Sequence, residues 1–113
     1  MLDDLDDVSL DALPYGVVCL DDQLRVARMN RTESEKSGIQ RWRAIGRRFF
    51  TDVAAGPGNR VLAETVAAFS SSAATGSSLN HVFPRRFGAD ATRIELQRGR
   101  PGRVYLYIRR DDR

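Results

Sequence analysis

Few residues in this chain of 113 can do covalent or metal chemistry: one cysteine, Cys19, and one histidine, His81. A thiol acts as a nucleophile only beside an activating base, and neither residue sits in a pattern that supplies one. A single cysteine also excludes an internal disulfide and a cysteine-based metal cluster, and it points to a reducing, cytoplasmic setting. Asp21-Asp22 offers two carboxylates, too few for a metal site, and reads as a turn. Gly56-Pro-Gly58 lacks the strand–loop–helix context and the lysine of a phosphate loop. Enzyme activity is not expected. His81 leaves two readings open, a haem ligand or a hydrogen-bonded filler at a strand start.

The other chemical resource is arginine. Seventeen of the 18 basic residues are arginine, and Lys36 is the one lysine. Residues 1–22 carry seven aspartates and no base, whereas the remaining 91 carry all 18 bases against eight acids. A basic body with an acidic leader has the charge pattern of an intramolecular clasp. Arg25, Arg28, Arg31, Arg41, Arg43, Arg47 and Arg48 crowd around Trp42, and an aromatic among bases can stack a nucleobase. The acidic leader opposes a polyanion, however, and Trp42 has the spacing of a buried helix face. Solvated surface is the expectation there, and nucleic acid is not an expected partner.

The elements that must position these residues follow from periodicity. A hydrophobic content of 42% with 29% charged residues suits one globular domain. No stretch reads as a membrane span or secretory signal. Residues 1–14 form a polar leader, with Ser9 as a helix cap and Pro14 as its stop. The runs 15–20 and 24–29 around Asp21-Asp22 give a hairpin. Asn30 or Thr32 caps a short helix that Gly38 ends. Trp42, Ile45, Phe49 and Phe50 have the spacing of one helical face, broken at Gly46. Residues 60–69 form the best helix, and 70–78 form a small-residue linker. Strands are expected over 79–87, 91–97 and 103–109. Five short strands with helices between the second and third give an α+β fold, one antiparallel sheet with helices on one face. Residues 15–110 form the domain and 111–113 a polar tail, which reads as a natural terminus.

The stretches LDALPYGVVCLDDQLRVARMN (10–30), ESEKSG (33–38), AIGRRFFTDVA (44–54), LNHVF (79–83) and YLYIRR (105–110) resemble PAS domains, those of the photoactive yellow protein family in particular. The resemblance covers residues 10–110. It implies a chromophore thioester on a cysteine, but that position falls at Gly56. The family's phenolate-holding tyrosine falls at Met29 and its shielding arginine at Ile39; only the glutamic acid is kept, as Glu33. A p-coumaroyl thioester is therefore not expected, and the residues name no other cofactor: none, or one of unknown identity.

The resemblance implies a sensory module that signals through protein contacts. Its small-ligand pocket is expected between Val18, Leu20, Met29, Glu33, Ile39, Phe49, Val53, Phe83 and Phe87. Glu33 is either a protonated acid in a poorly solvated place or a solvated acid at a helix start. Arg85 is expected at the pocket rim, snorkelling outward. Val17, Cys19, Tyr105 and Tyr107 should project from the other face of the sheet. Left open, that face would be an apolar patch for a homodimer or a partner helix. A ligand-free interaction module is the alternative.

Overall fold

The computed structural model describes residues 2–84 and 88–110. A single antiparallel sheet takes the strand order β2-β1-β5-β4-β3, with β1 Gly16–Leu20, β2 Val26–Met29, β3 Gly76–Pro84, β4 Ala89–Arg98 and β5 Val104–Arg110. Between β2 and β3 run α2 Arg31–Ser37, α3 Arg41–Ala44, a π turn Phe49–Val53, a 3-10 turn Pro57–Asn59 and α4 Arg60–Ser70. Before β1 lie a 3-10 turn Leu2–Asp4 and α1 Asp7–Asp11.

Strand alternation separates two apolar layers, because successive side chains point to opposite faces. Val18, Leu20, Ile94, Leu96, Val104, Leu106 and Ile108 pack with Leu62, Val66 and Phe69 of α4 in the main core. Val17, Cys19 and Tyr105 pack on the other face with Leu2 and Leu10 of the leader. The central pairing of β1 with β5, from Gly16↔Ile108 to Leu20↔Val104, holds both layers in register.

Local chemistry explains most boundaries. The Asn30 side chain caps α2 by accepting from Glu33 N at 3.0 Å, and Gly38 ends it at φ 77. Asn30 also accepts from Val17 N and donates to Leu10 O and Tyr15 O, so one buried amide joins leader, β1 and α2. Asp21 accepts from Gln23 N and Arg25 N, which makes Asp21-Asp22 a turn as expected. At the end of α4, Arg98 donates to Phe69 O and Ala74 O, satisfying carbonyls that a helix terminus leaves open.

Several expectations need correction. The leader helix is capped by Asp6, which accepts from Ser9 N, not by Ser9. The small-residue linker is shorter than expected because β3 starts at Gly76, where Gly76 and Ser77 pair with Gln97 and Leu96. Ladder hydrogen bonds override the weak strand propensity of Gly and Ser there. Trp42 is 72% exposed rather than buried. Its helix has only four residues, so its apolar spacing does not extend into a face; Ala44 is the residue it buries.

Candidate functional site

At the open end of the main core, the ends of several elements converge without filling the space. A cavity of about 160 Å³ is lined by Met29 from β2, Glu33 and Ser37 from α2, Ile39, Phe49 and Val53 from the π turn, and Ala54 and Ala55. Asn59, Phe83, Pro84, Asp90 and Arg110 complete the wall. Six of the nine expected pocket residues meet here: Met29, Glu33, Ile39, Phe49, Val53 and Phe83. Val18 and Leu20 do not line the cavity; both are sealed in the core cluster that shares Met29 and Phe49. Phe87 and Arg85 lie outside the described residues.

Glu33 is 5% exposed, so the solvated-acid reading is set aside. Its carboxylate accepts from Arg110 through both oxygens, Nη1–Oε1 at 2.6 Å and Nη2–Oε2 at 3.1 Å. Arg110 Nε donates to Asp90 at 3.1 Å. A fork-to-fork pair of this kind is both strong and directional. Burial pushes the Glu33 carboxyl above its usual range, with Arg110 pulling the other way and Asp90 adding to the rise. Glu33 therefore turns inward, as the protonated-acid reading requires, but it is one member of a three-residue cluster. Gly16 makes this approach possible, since a Cβ there would sit 2.1 Å from Glu33 Oε1.

Sequence reasoning missed Arg110, Asp90 and Asn59. Ile39 stands where the resemblance implies a shielding arginine, yet an arginine arrives from the last strand. The one signal was the pairing of 109 and 110 after an alternating strand, where the inward parity of Leu106 and Ile108 extends to Arg110.

His81 faces the same side, opposite Thr92 on β4. Its Nε2 lies 2.8 Å from Asn59 Oδ1, and the ring meets Phe83 edge-on. Asn59 in turn donates to Ala54 O. The histidine thus braces the cavity wall through Asn59, and burial lowers its pKa. The filler reading describes this arrangement, with Nε2 engaged by Asn59.

Across the sheet, Val17, Cys19 and Tyr105 are inaccessible beneath the leader, and Tyr107 is half-buried. The cover is more complete than expected, and it is polar as well as apolar. Arg28 donates to Leu2 O at 3.1 Å, to Leu5 O at 2.7 Å, to Tyr105 Oη at 3.0 Å and to Asp7 at 3.3 Å. Tyr105 donates to Asp3 at 2.8 Å, and Arg41 pairs with Asp11 at 2.8 Å. The charge pattern read as a clasp is realised by these contacts.

Cys19 belongs to this covered layer, with the sheet between it and the cavity. Burial pushes its thiol pKa up, so it is a poor nucleophile. The cavity residues do not fit a cysteine-linked chromophore: Gly56 takes the attachment position, and the sole thiol faces the other way. Among the described residues no cluster of three or more His, Cys, Asp or Glu side chains could hold a metal ion. No described helix is long and apolar enough to cross a membrane.

This sheet order, with short helices between β2 and β3 enclosing a cavity against one face, is that of a PAS domain. Solved structures agree over nearly the whole chain. The photoactive yellow protein domain of the sensor histidine kinase Ppr from Rhodospirillum centenum is 31% identical, with a TM-score of 0.86 and 95% of each chain covered. The PAS domain of the RpfR quorum-sensing receptor from Cronobacter turicensis, solved in complex with C12:0, is 17% identical, with a TM-score of 0.75 over 88% of this chain and 96% of that one. The PAS domain of an HTR-like protein from Haloarcula marismortui is 16% identical, with a TM-score of 0.70 over 92% and 87%. No family model matches, and no curated protein matches. The chain belongs to the photoactive yellow protein family of PAS domains, without the chromophore cysteine, and is a sensory module.

Proposed function

We propose that this chain senses a small neutral molecule held in the cavity beside Glu33, Asp90 and Arg110, and passes the signal on through protein contacts. The observation that carries this reading is the cavity itself, apolar along Met29, Ile39, Phe49, Val53 and Phe83 and polar at one end. Its volume is close to that of a cavity known to hold benzene, about 150 Å³, which limits the ligand to roughly a single ring or a short chain. The polar end narrows the chemistry further. All three nitrogens of Arg110 are engaged by Glu33 and Asp90, so the guanidinium offers no open fork to a ligand carboxylate. The carboxylates retain acceptor capacity. A neutral ligand with a hydroxyl or amide donor suits that wall. The RpfR domain, 17% identical, was solved in complex with C12:0.

Ligand binding requires no catalysis, and we assign the chain no reaction. The free thiol of Cys19 supports a reducing, cytoplasmic setting. We divide the chain into a leader over 1–14, the sensing domain over 15–110 and a tail over 111–113. Native mass spectrometry of protein purified from its own source tests the reading. A mass excess of one small molecule, lost on denaturation, is the expected result, and a mass equal to the chain alone contradicts it.

A second reading, a ligand-free interaction or dimerisation module, draws on the covered face of Val17, Cys19, Tyr105 and Tyr107. The leader holds that face through exchangeable polar contacts, so a partner helix or a second copy can compete for it. Sedimentation velocity as a function of concentration, with and without residues 2–13, tests this. Self-association of the truncated chain is the expected result, and a strict monomer contradicts it.

A further inference from the structure

We propose that Trp42, set among arginines on the helical side of the molecule, is the docking point for an acidic segment of a partner protein that carries an apolar anchor. Neither the cavity nor the leader contacts use this tryptophan. It is 72% exposed, and Ile45 beside it is 46% exposed, on a short helix whose buried residue is Ala44. The indole Nε1 donates to Gln40 Oε1, so its polar edge is spent and its apolar faces remain. The Arg43 guanidinium lies over the ring, 5.0 Å from its centre. Trp42, Arg43, Arg47 and Asp52 line an open depression of about 460 Å³. Next to Arg47 in sequence, Gly46 O accepts from Arg25 Nη1 at 3.1 Å, and the backbone of Arg25 bridges that of Arg48.

Charge complementarity identifies the occupant. Asp52 is the one acid in the lining, and it accepts from Arg48 N. The chain's own acidic leader is committed elsewhere, with Asp3 on Tyr105, Asp7 on Arg28 and Asp11 on Arg41. An acidic segment of another molecule complements this basic rim. Trp and Arg are the side chains that dominate protein–protein hot spots. Single-stranded nucleic acid needs successive aromatic platforms, and this depression has one ring, with a guanidinium already on one face.

Trp42 is the sole tryptophan, so its fluorescence reports on the site. The probe is a short synthetic peptide alternating Glu with Leu and Phe, set against a single-stranded oligonucleotide of equal charge. The peptide is expected to shift Trp42 emission saturably. Trp42→Ala, read by anisotropy of labelled peptide, should weaken binding at least about tenfold. The Arg43→Ala/Arg47→Ala pair should weaken it and flatten its salt dependence. Unchanged circular dichroism confirms that these exposed substitutions leave the fold intact. No saturable shift, equal binding to Trp42→Ala, or tighter binding of the oligonucleotide would each overturn the proposal.

Discussion

A buried carboxylate beside an unfilled cavity needs a partner, and Arg110 supplies it. Removing one member of such a pair is worse than removing both, because the survivor is left desolvated and uncompensated. Arg110→Ala should therefore cost about 3–5 kcal/mol in urea denaturation, and the double change Glu33→Met/Arg110→Met should recover much of it. The pH dependence has a definite sign. Burial raises the folded Glu33 pKa above its unfolded value, and loss of Arg110 raises it further. The folded variant then binds more protons than the unfolded chain, so its stability falls as pH rises. The deficit of Arg110→Ala should be widest near neutrality and shrink on acidification toward 4.5. A deficit that grows on acidification would contradict this. Tyr105 gives a second titration. Burial, with hydrogen bonding to Asp3, raises its pKa to about 12 against the pull of Arg28. Its contribution is complete below pH 10 and is lost between 10 and 12. Absorbance at the phenolate band should show a tyrosine that ionises only as the chain unfolds, and a band complete before unfolding begins would contradict this.

At the scale of elements, the leader is the part whose docking can be followed with the least ambiguity. Cys19 is fully covered by it, so the reactivity of this single thiol toward an aromatic disulfide reports how often the leader lifts. Arg28→Ala removes donors to Leu2 O, Leu5 O, Tyr105 and Asp7 together. It should accelerate Cys19 modification by about tenfold or more, each charge-assisted bond contributing on the order of 1.5 kcal/mol. A rate equal to that of the parent chain would show that apolar contacts alone hold the leader. These elements were readable from the sequence to different degrees. Asn30 and Gly38 fix α2 by cap chemistry confined to a few residues, and the parity of Val17 and Cys19 against Val18 and Leu20 fixes β1. Trp42 was not readable, because burial depends on what a helix packs against and α3 ends after four residues. The first residues of β3 were hidden for a related reason: Gly76 and Ser77 are strand only because β4 offers them partners.

On the scale of the whole molecule, the fold order brings residues 77 positions apart into one cluster. Sheet order places the end of β5 beside β1, and α2 packs across β1, so Arg110 meets Glu33. That meeting is a property of topology. The apolar half of the pocket could be read from Met29, Ile39, Phe49, Val53 and Phe83, whereas the half from Asp90 and Arg110 left one trace, the strand parity of Arg110. On the proposed function, this cavity admits a small neutral ligand. The chain contains two methionines, Met1 and Met29, and Met29 lines the cavity. Methyl-labelled methionine therefore gives a signal inside the site. Titration with benzyl alcohol is predicted to move the Met29 methyl resonance saturably, while benzoate leaves it unmoved. A Met29 signal that stays fixed as benzyl alcohol is raised to its solubility limit would contradict the account.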